Sequence, residues 1–270
     1  MKLKIGLQIA PQHGEMKRMR DTWMEAEALG VDSIWTCDHF HAQNVNNKDY
    51  NDGQIITAKW GKNFEATTIQ AAMAATTSRA DIGCIVHATG YRNANLMADM
   101  ARTIDHISGG RFILGMGAGY LQQDYDEYGY PYGTQAGRLQ DLARDLPIIK
   151  DRYGKLNPPP LRSIPLLIAS MGEKIGMRIV AEHADMWHVF GTEDKVRQKC
   201  EVLNQFCGEI GRNPAEIEIV ANCWPQIMPD DDPDILVGLG ATHLISMATG
   251  PDWDLGPLQE LLAWRKARSK

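Results

Sequence analysis

Short apolar runs alternate with longer stretches in which apolar residues recur every three or four positions, from one end of the chain to the other. Lys4–Ile9 (KIGLQI) reads as a buried strand. Residues 17–29 then place Met19, Trp23, Ala26 and Leu29 at helical spacing, with Gly30 as a C-cap. The same alternation pairs a strand at 31–37 with a helix at 64–77, 80–87 with 93–108, 112–117 with 135–153, and 165–169 with 174–183. It continues with 186–190 and 195–210, 216–222 and 233–238, and 242–247 and 258–268. Residues 38–63 read as a polar loop, and a loop beyond about 15 residues is usually functional.

Eight strand–helix units with no composition break predict a parallel sheet, and at this chain length they predict closure into a single (β/α)8 TIM barrel over residues 1–270. An open doubly wound sheet would carry a glycine fingerprint after its first strand. Ile9-Ala10-Pro11-Gln12-His13-Gly14 is no such fingerprint. The net charge of −6 argues against nucleic acid or an anionic membrane surface as partner. The five cysteines form no CxxC pair, so neither a disulfide framework nor a zinc ribbon is indicated. Residues 5–10 are too short and too polar for a signal peptide. A cytoplasmic protein is expected.

A barrel interior is packed with side chains, so chemistry is expected at the C-terminal ends of the strands. Gln12 and His13 fall there after the first strand, and Asp38, His39 and His41 after the second. The third strand gives Cys84 and His87, the fourth Gly117 to Tyr120, the fifth Ser170 to Gly172, and the sixth His188. Five of the eight histidines therefore converge on one mouth, which favours proton-transfer chemistry over simple solvation. His39-Phe40-His41 has metal-ligand spacing, but no third ligand can be assigned with it, so a metal-dependent barrel hydrolase is the weaker reading. Ser170-Met171-Gly172-Glu173-Lys174 joins a strand to a helix. Its open amides and Lys174 suit a phosphate, although an ordinary N-cap reads the same way.

Taken together, several segments resemble the bacterial luciferase-like superfamily of flavin- and deazaflavin-dependent oxidoreductases. These are Ser33-Ile34-Trp35-Thr36-Cys37-Asp38-His39-Phe40-His41, Tyr91-Arg92-Asn93, residues 107–120 (ISGGRFILGMGAGY), Tyr128-Gly129-Tyr130-Pro131 and Gly172-Glu173-Lys174. Asp38-His39-Phe40 is most similar to the branch that uses the deazaflavin coenzyme F420. The resemblance implies hydride transfer between coenzyme F420 and a small organic substrate, with Asp38 and His39 as catalytic residues and His39 moving the proton. It implies cofactor contacts from Asp38, Cys84, Ile85, Ala118 and Gly119, and phosphate binding by Ser170, Met171 and Gly172. It also implies a non-prolyl cis peptide at Cys84–Ile85. The substrate pocket is expected to involve His13, His41, Gln43, Tyr120 and His188, without a metal. Sugar-phosphate dehydrogenases of the family carry a carboxylate and a Trp where this chain has Tyr120 and Gln43, which argues against a sugar phosphate. The alternative on the same fold is an FMN-dependent monooxygenase. The short segment 223–233 suggests an open pocket or one completed by a second subunit, and a homodimer is expected.

Overall fold

The computed structural model describes residues 3–43, 61–224 and 232–268. Within them the strands are β1 (Lys4–Ile9), β2 (Ser33–Thr36), β3 (Asp81–Cys84), β4 (His87–Ala88), β5 (Leu114–Gly117), β6 (Leu166–Ala169), β7 (Met186–Val189), β8 (Glu218–Asn222) and β9 (His243–Ala248). The helices are α1 (Met16–Leu29), α2 (Ala66–Thr76), α3 (Ala94–Ser108), α4 (Gln122–Tyr128), α5 (Gln135–Tyr153), α6 (Gly176–His183), α7 (Glu193–Ile210), α8 (Pro233–Gly238) and α9 (Gly256–Arg268). All strand pairings are parallel, in the order β3-β2-β1-β9-β8-β7-β6-β5-β4. A parallel bridge between Ile82 and Phe112 joins β3 to the chain entering β5 and closes the ring. β3 and β4 are two halves of one barrel strand, so the nine segments occupy eight barrel positions. This is the expected TIM barrel.

Local chemistry explains the helix boundaries. Asn93 caps α3 by accepting from the Asn95 and Leu96 amides. Gly30, at φ 99°, ends α1 by returning its N–H to the Ala26 and Glu27 carbonyls. Strand side chains alternate between two cores. Outward residues such as Leu7, Ile34, Trp187 and Val189 pack under the helices, while Trp35, Ile85, Ile113, Leu167, Met186, Val220 and Ile245 fill the barrel's interior. The N-terminal end is closed by polar pairs. Lys4 bonds Glu218 at 2.9 Å, and the Ser33 hydroxyl, which accepts from Trp35 Nε1, lies 2.7 Å from His243 Nε2.

The sequence pattern misses two features. α4 has no aliphatic stripe, since QQDYDEY offers only tyrosines to the core, and it falls inside what reads as a loop. The third strand also breaks. The Ile85 N–H still bonds the Thr36 carbonyl, so the Cys84–Ile85 peptide serves the β2 ladder and is trans. The cis bond lies one residue on, at Ile85–Val86, which corrects the expected position. No helix among the described residues is long and apolar enough to cross a membrane.

Candidate active site

Asp38 leaves the end of β2 and is buried. Arg92 grips it with both terminal nitrogens, Nη1 to Oδ2 at 2.6 Å and Nη2 to Oδ1 at 2.9 Å. The Ala88 amide donates to Oδ2 at 3.3 Å, and His87 Nδ1 stands 3.3 Å away without hydrogen-bond alignment. Burial opposes charge on Asp38, but the His87 ring and the Arg92 guanidinium outweigh it and hold the carboxyl well below the usual range. Arg92 also bonds Glu65, whose carboxylate caps α2 through the Thr67 and Thr68 amides. Despite its burial, Glu65 is pulled down to about 2 by those bonds and by Arg92. Asp38 therefore ties together the end of β2, the restart of the third strand at β4, and α2.

His39 is governed by a residue that sequence reasoning did not single out. Asp124, the third residue of α4, is fully buried and accepts four hydrogen bonds. These come from His39 Nδ1 (2.9 Å), His41 Nδ1 (2.6 Å), the Tyr91 hydroxyl (3.0 Å) and the Phe40 amide (3.2 Å). Burial pushes its pKa up, but the two histidines and Tyr91 overcome this and keep it lowered. With Nδ1–H committed to Asp124, His39 presents Nε2 as an acceptor, 3.3 Å from the Tyr120 hydroxyl. A histidine oriented by a buried carboxylate, with its far nitrogen at a barrel mouth, is equipped for general acid–base work. His41 serves differently. It spans Asp124 and Glu127 with its two nitrogens, and although partial burial opposes it, those carboxylates raise its pKa.

The other expected residues fall around this pair. Cys84 is buried under the interrupted strand, and Ile85 packs inside the barrel. Gly115 is required there, because a Cβ on it would lie 1.8 Å from the Cys84 carbonyl oxygen. At Gly119, φ is 72° and the Tyr125 hydroxyl fills the side-chain position, while Ala118 accepts from that hydroxyl at 3.2 Å. Ser170 and Met171 follow β6, and the helix beyond them starts at Gly176, two residues later than the pattern suggests. The amides of Met171, Glu173, Lys174 and Ile175 find no acceptor among the described residues, so the turn offers open donors beside the Lys174 side chain. His13, at φ 65°, donates Nε2–H to the Gln43 carbonyl at 2.8 Å. Gln43 is buried, with its own amide on Gln12 and its side-chain oxygen 3.3 Å from the Tyr120 hydroxyl. His188 lies inside the barrel and bonds Asn222 at 2.7 Å. His87 does not reach the mouth, because it is fully buried behind Asp38 with Nε2 on Gln70.

A family model for luciferase-like monooxygenases matches residues 2–234. The chain belongs to the luciferase-like monooxygenase family. Among the relatives of this luciferase-like chain is pyrimidine monooxygenase RutA of Enterobacter sp. (strain 638), 31% identical over 154 residues, or 50% of this chain and 42% of that protein. RutA of Serratia proteamaculans (strain 568) is 31% identical over 153 residues, covering 50% of this chain and 41% of the relative. The matches thus span about two fifths of these relatives' length. In structure the luciferase-like barrel is similar to an F420-dependent secondary alcohol dehydrogenase in complex with an F420-acetone adduct (TM-score 0.79, 16% identity, 96% of this chain and 98% of that one). It is also similar to the coenzyme F420 dependent tetrahydromethanopterin reductase of Methanopyrus kandleri (0.70, 16%, 97% and 97%) and to monooxygenase RslO1 of Streptomyces bottropensis (0.69, 12%, 98% and 98%). At these identities the likeness is one of fold. Solved barrels of this fold include F420-dependent enzymes and a monooxygenase in complex with FMN.

Asp124 and Glu65 carried a weak sequence signal at best. Each is one carboxylate in a polar stretch, and their partners lie 85 and 27 residues away. Arg92 sits in one of the segments that carry the resemblance, but its pairing with Asp38 spans 54 residues.

Proposed function

We propose that the protein is a single-domain oxidoreductase that uses coenzyme F420 to exchange hydride with a small organic substrate at the C-terminal mouth of the barrel. The observation that carries this reading is His39, held at Nδ1 by the buried Asp124 and presenting Nε2 beside the Tyr120 hydroxyl, in a luciferase-like barrel. The site has the features that a phosphate-tailed ring would use. The amides of Met171, Glu173, Lys174 and Ile175 have no acceptor among the described residues and lie beside the Lys174 side chain. Cys84, Ile85, Ala118 and Gly119 would border the ring, and Ser170, Met171, Gly172 and Lys174 would hold the phosphate. The bound coenzyme supplies the hydride at its C5 carbon.

The chain's own residues supply the remainder. His39 gives or takes the accompanying proton through Nε2, while Asp124 fixes the tautomer and stabilises the imidazolium when it forms. Arg92 neutralises Asp38, so Asp38 acts by anchoring β2 to the restarted third strand and fixing the backbone from which His39 projects. Tyr120 and Gln43 border the approach to Nε2.

A second reading, an FMN-dependent monooxygenase, is favoured by the RutA relatives. Absorbance titration of the chain with coenzyme F420 and with FMN tests both. Tighter binding of F420, with no oxygen uptake by the reduced complex, is expected. Tight FMN binding with substrate-dependent oxygen consumption overturns the leading reading in favour of the second. The metal-hydrolase reading loses support, because His39 and His41 both turn Nδ1 onto Asp124, and His41 Nε2 is taken by Glu127.

A further inference from the structure

Above the apolar layer inside the barrel, the next inward positions differ between its two sides. On β5 and β6 they are small: Gly117, whose side-chain space is taken by Val86, and Ala169. On β1, β8 and β7 they are polar, Gln8, Asn222 and His188, all buried, with Met247 of β9 between Gln8 and Asn222. Strand alternation fixes the direction of His188. Met186, two residues before it, belongs to the interior cluster, while Trp187 and Val189 pack outward. The His188 ring therefore points into the barrel just beneath the mouth, 6.0 Å from the partly exposed ring of Phe190.

His188 Nε2 lies 2.7 Å from Asn222 Oδ1, so the imidazole donates there and its hydrogen is committed. Nδ1 is left as an acceptor. It is buried, and it has no hydrogen-bond partner among the described residues. Gln8 Oε1, on the same side, is also buried and has no hydrogen-bond partner among the described residues. Buried polar atoms are nearly always satisfied, and an orphan at a functional mouth points to a ligand atom that completes it. The missing partner must be a donor. A cation is a poor candidate, since burial holds the His188 pKa down at about 4 and no anionic side chain among the described residues shifts it back up.

We propose that His188, with its tautomer fixed by Asn222, is the specificity-determining acceptor of this mouth and selects uncharged substrates that carry an N–H or O–H donor. The assignment rests on the reading of the mouth as the reaction site. It does not depend on which coenzyme binds.

The test uses the full chain with 15N-labelled histidine, before and after saturation with whichever of coenzyme F420 or FMN binds. The probes are 2-pyrrolidinone against N-methyl-2-pyrrolidinone, and cyclohexanol against methoxycyclohexane. His188 is expected to show an unprotonated Nδ1 whose resonance moves with the N–H and O–H probes, which bind at least about tenfold tighter than their methylated partners. The coenzyme alone should leave that resonance in place. In His188→Phe the preference should fall to within about twofold, with coenzyme affinity unchanged. His188→Gln, which keeps an acceptor, should retain part of it. Equal binding within each pair, no movement with any probe, or a hydrogen on Nδ1 overturns the assignment. Movement with coenzyme alone overturns it too, by giving the acceptor to the coenzyme. Failure of both coenzymes to bind appears in the absorbance titration and counts against the proposed function, while the probe comparison still decides the role of His188.

Discussion

His39 and Asp124 illustrate how one buried carboxylate can set the chemistry of a neighbour. Replacing His39 with Ala removes the proposed proton carrier but none of the backbone that would border a coenzyme. Turnover should fall by about 10²–10⁴ with coenzyme affinity largely intact. Single-turnover kinetics beside a binding titration separate the two. Replacing Asp124 with Ala is expected to do more than slow the reaction, because four donors lose their acceptor in a buried setting. A stability loss of about 3–5 kcal/mol is expected in urea denaturation, the range for breaking a buried charged pair. An unchanged midpoint would mean that the two histidines and Tyr91 find other partners easily.

The elements that build the site are held by contacts between chain segments more than by their own propensities. α4 illustrates this. Its sequence is polar, yet it docks because Tyr125 and Asp124 are buried and Phe40 stacks on Tyr128 with centroids 4.0 Å apart. The interrupted third strand depends on Arg92 in the same way. Replacing Arg92 with Leu leaves Asp38 charged, buried and without its main partner, and should cost about 3–5 kcal/mol. Protease susceptibility near residues 85–92 should rise in that variant if the Asp38 anchor works as described. At Gly115 the neighbour is a backbone carbonyl, which cannot swing aside as a side chain could. Gly115→Ala should therefore destabilise by about 3 kcal/mol, at the upper end for overpacked cores. A neutral result in thermal melts would show that β5 shifts freely against the end of β3.

At the scale of the whole molecule, buried histidines make stability depend on pH, and the sign follows from the direction of each shift. Burial lowers His188 to about 4 and His243 to about 3, from 6.5 for an unperturbed ring. Below 6.5 the unfolded chain takes up protons that these folded sites refuse. Their contribution is full above that pH and is lost progressively as pH falls toward 4 and then 3. His41 has the opposite sign. Its raised pKa gives stability below 6.5 that is lost as pH rises through the folded value. Denaturation midpoints should fall steeply from pH 6.5 to 4, and His243→Gln should flatten that slope. The same slope in wild type and variant would remove His243 from the account.

The barrel itself was determined by sequence, because alternation of two-residue and 3.6-residue periods is a local property that survives reading one residue at a time. The glycine positions, the Asp38-His39-Phe40 segment and the family they mark were legible for the same reason. Tertiary structure alone decided the carboxylate behind His39, the guanidinium on Asp38, the withdrawal of His87 from the mouth and the step of the cis bond to Ile85–Val86. Each depends on which residues meet after tens of intervening positions have folded, and a burial that pairs Asp38 with Arg92 leaves no periodic trace in the chain.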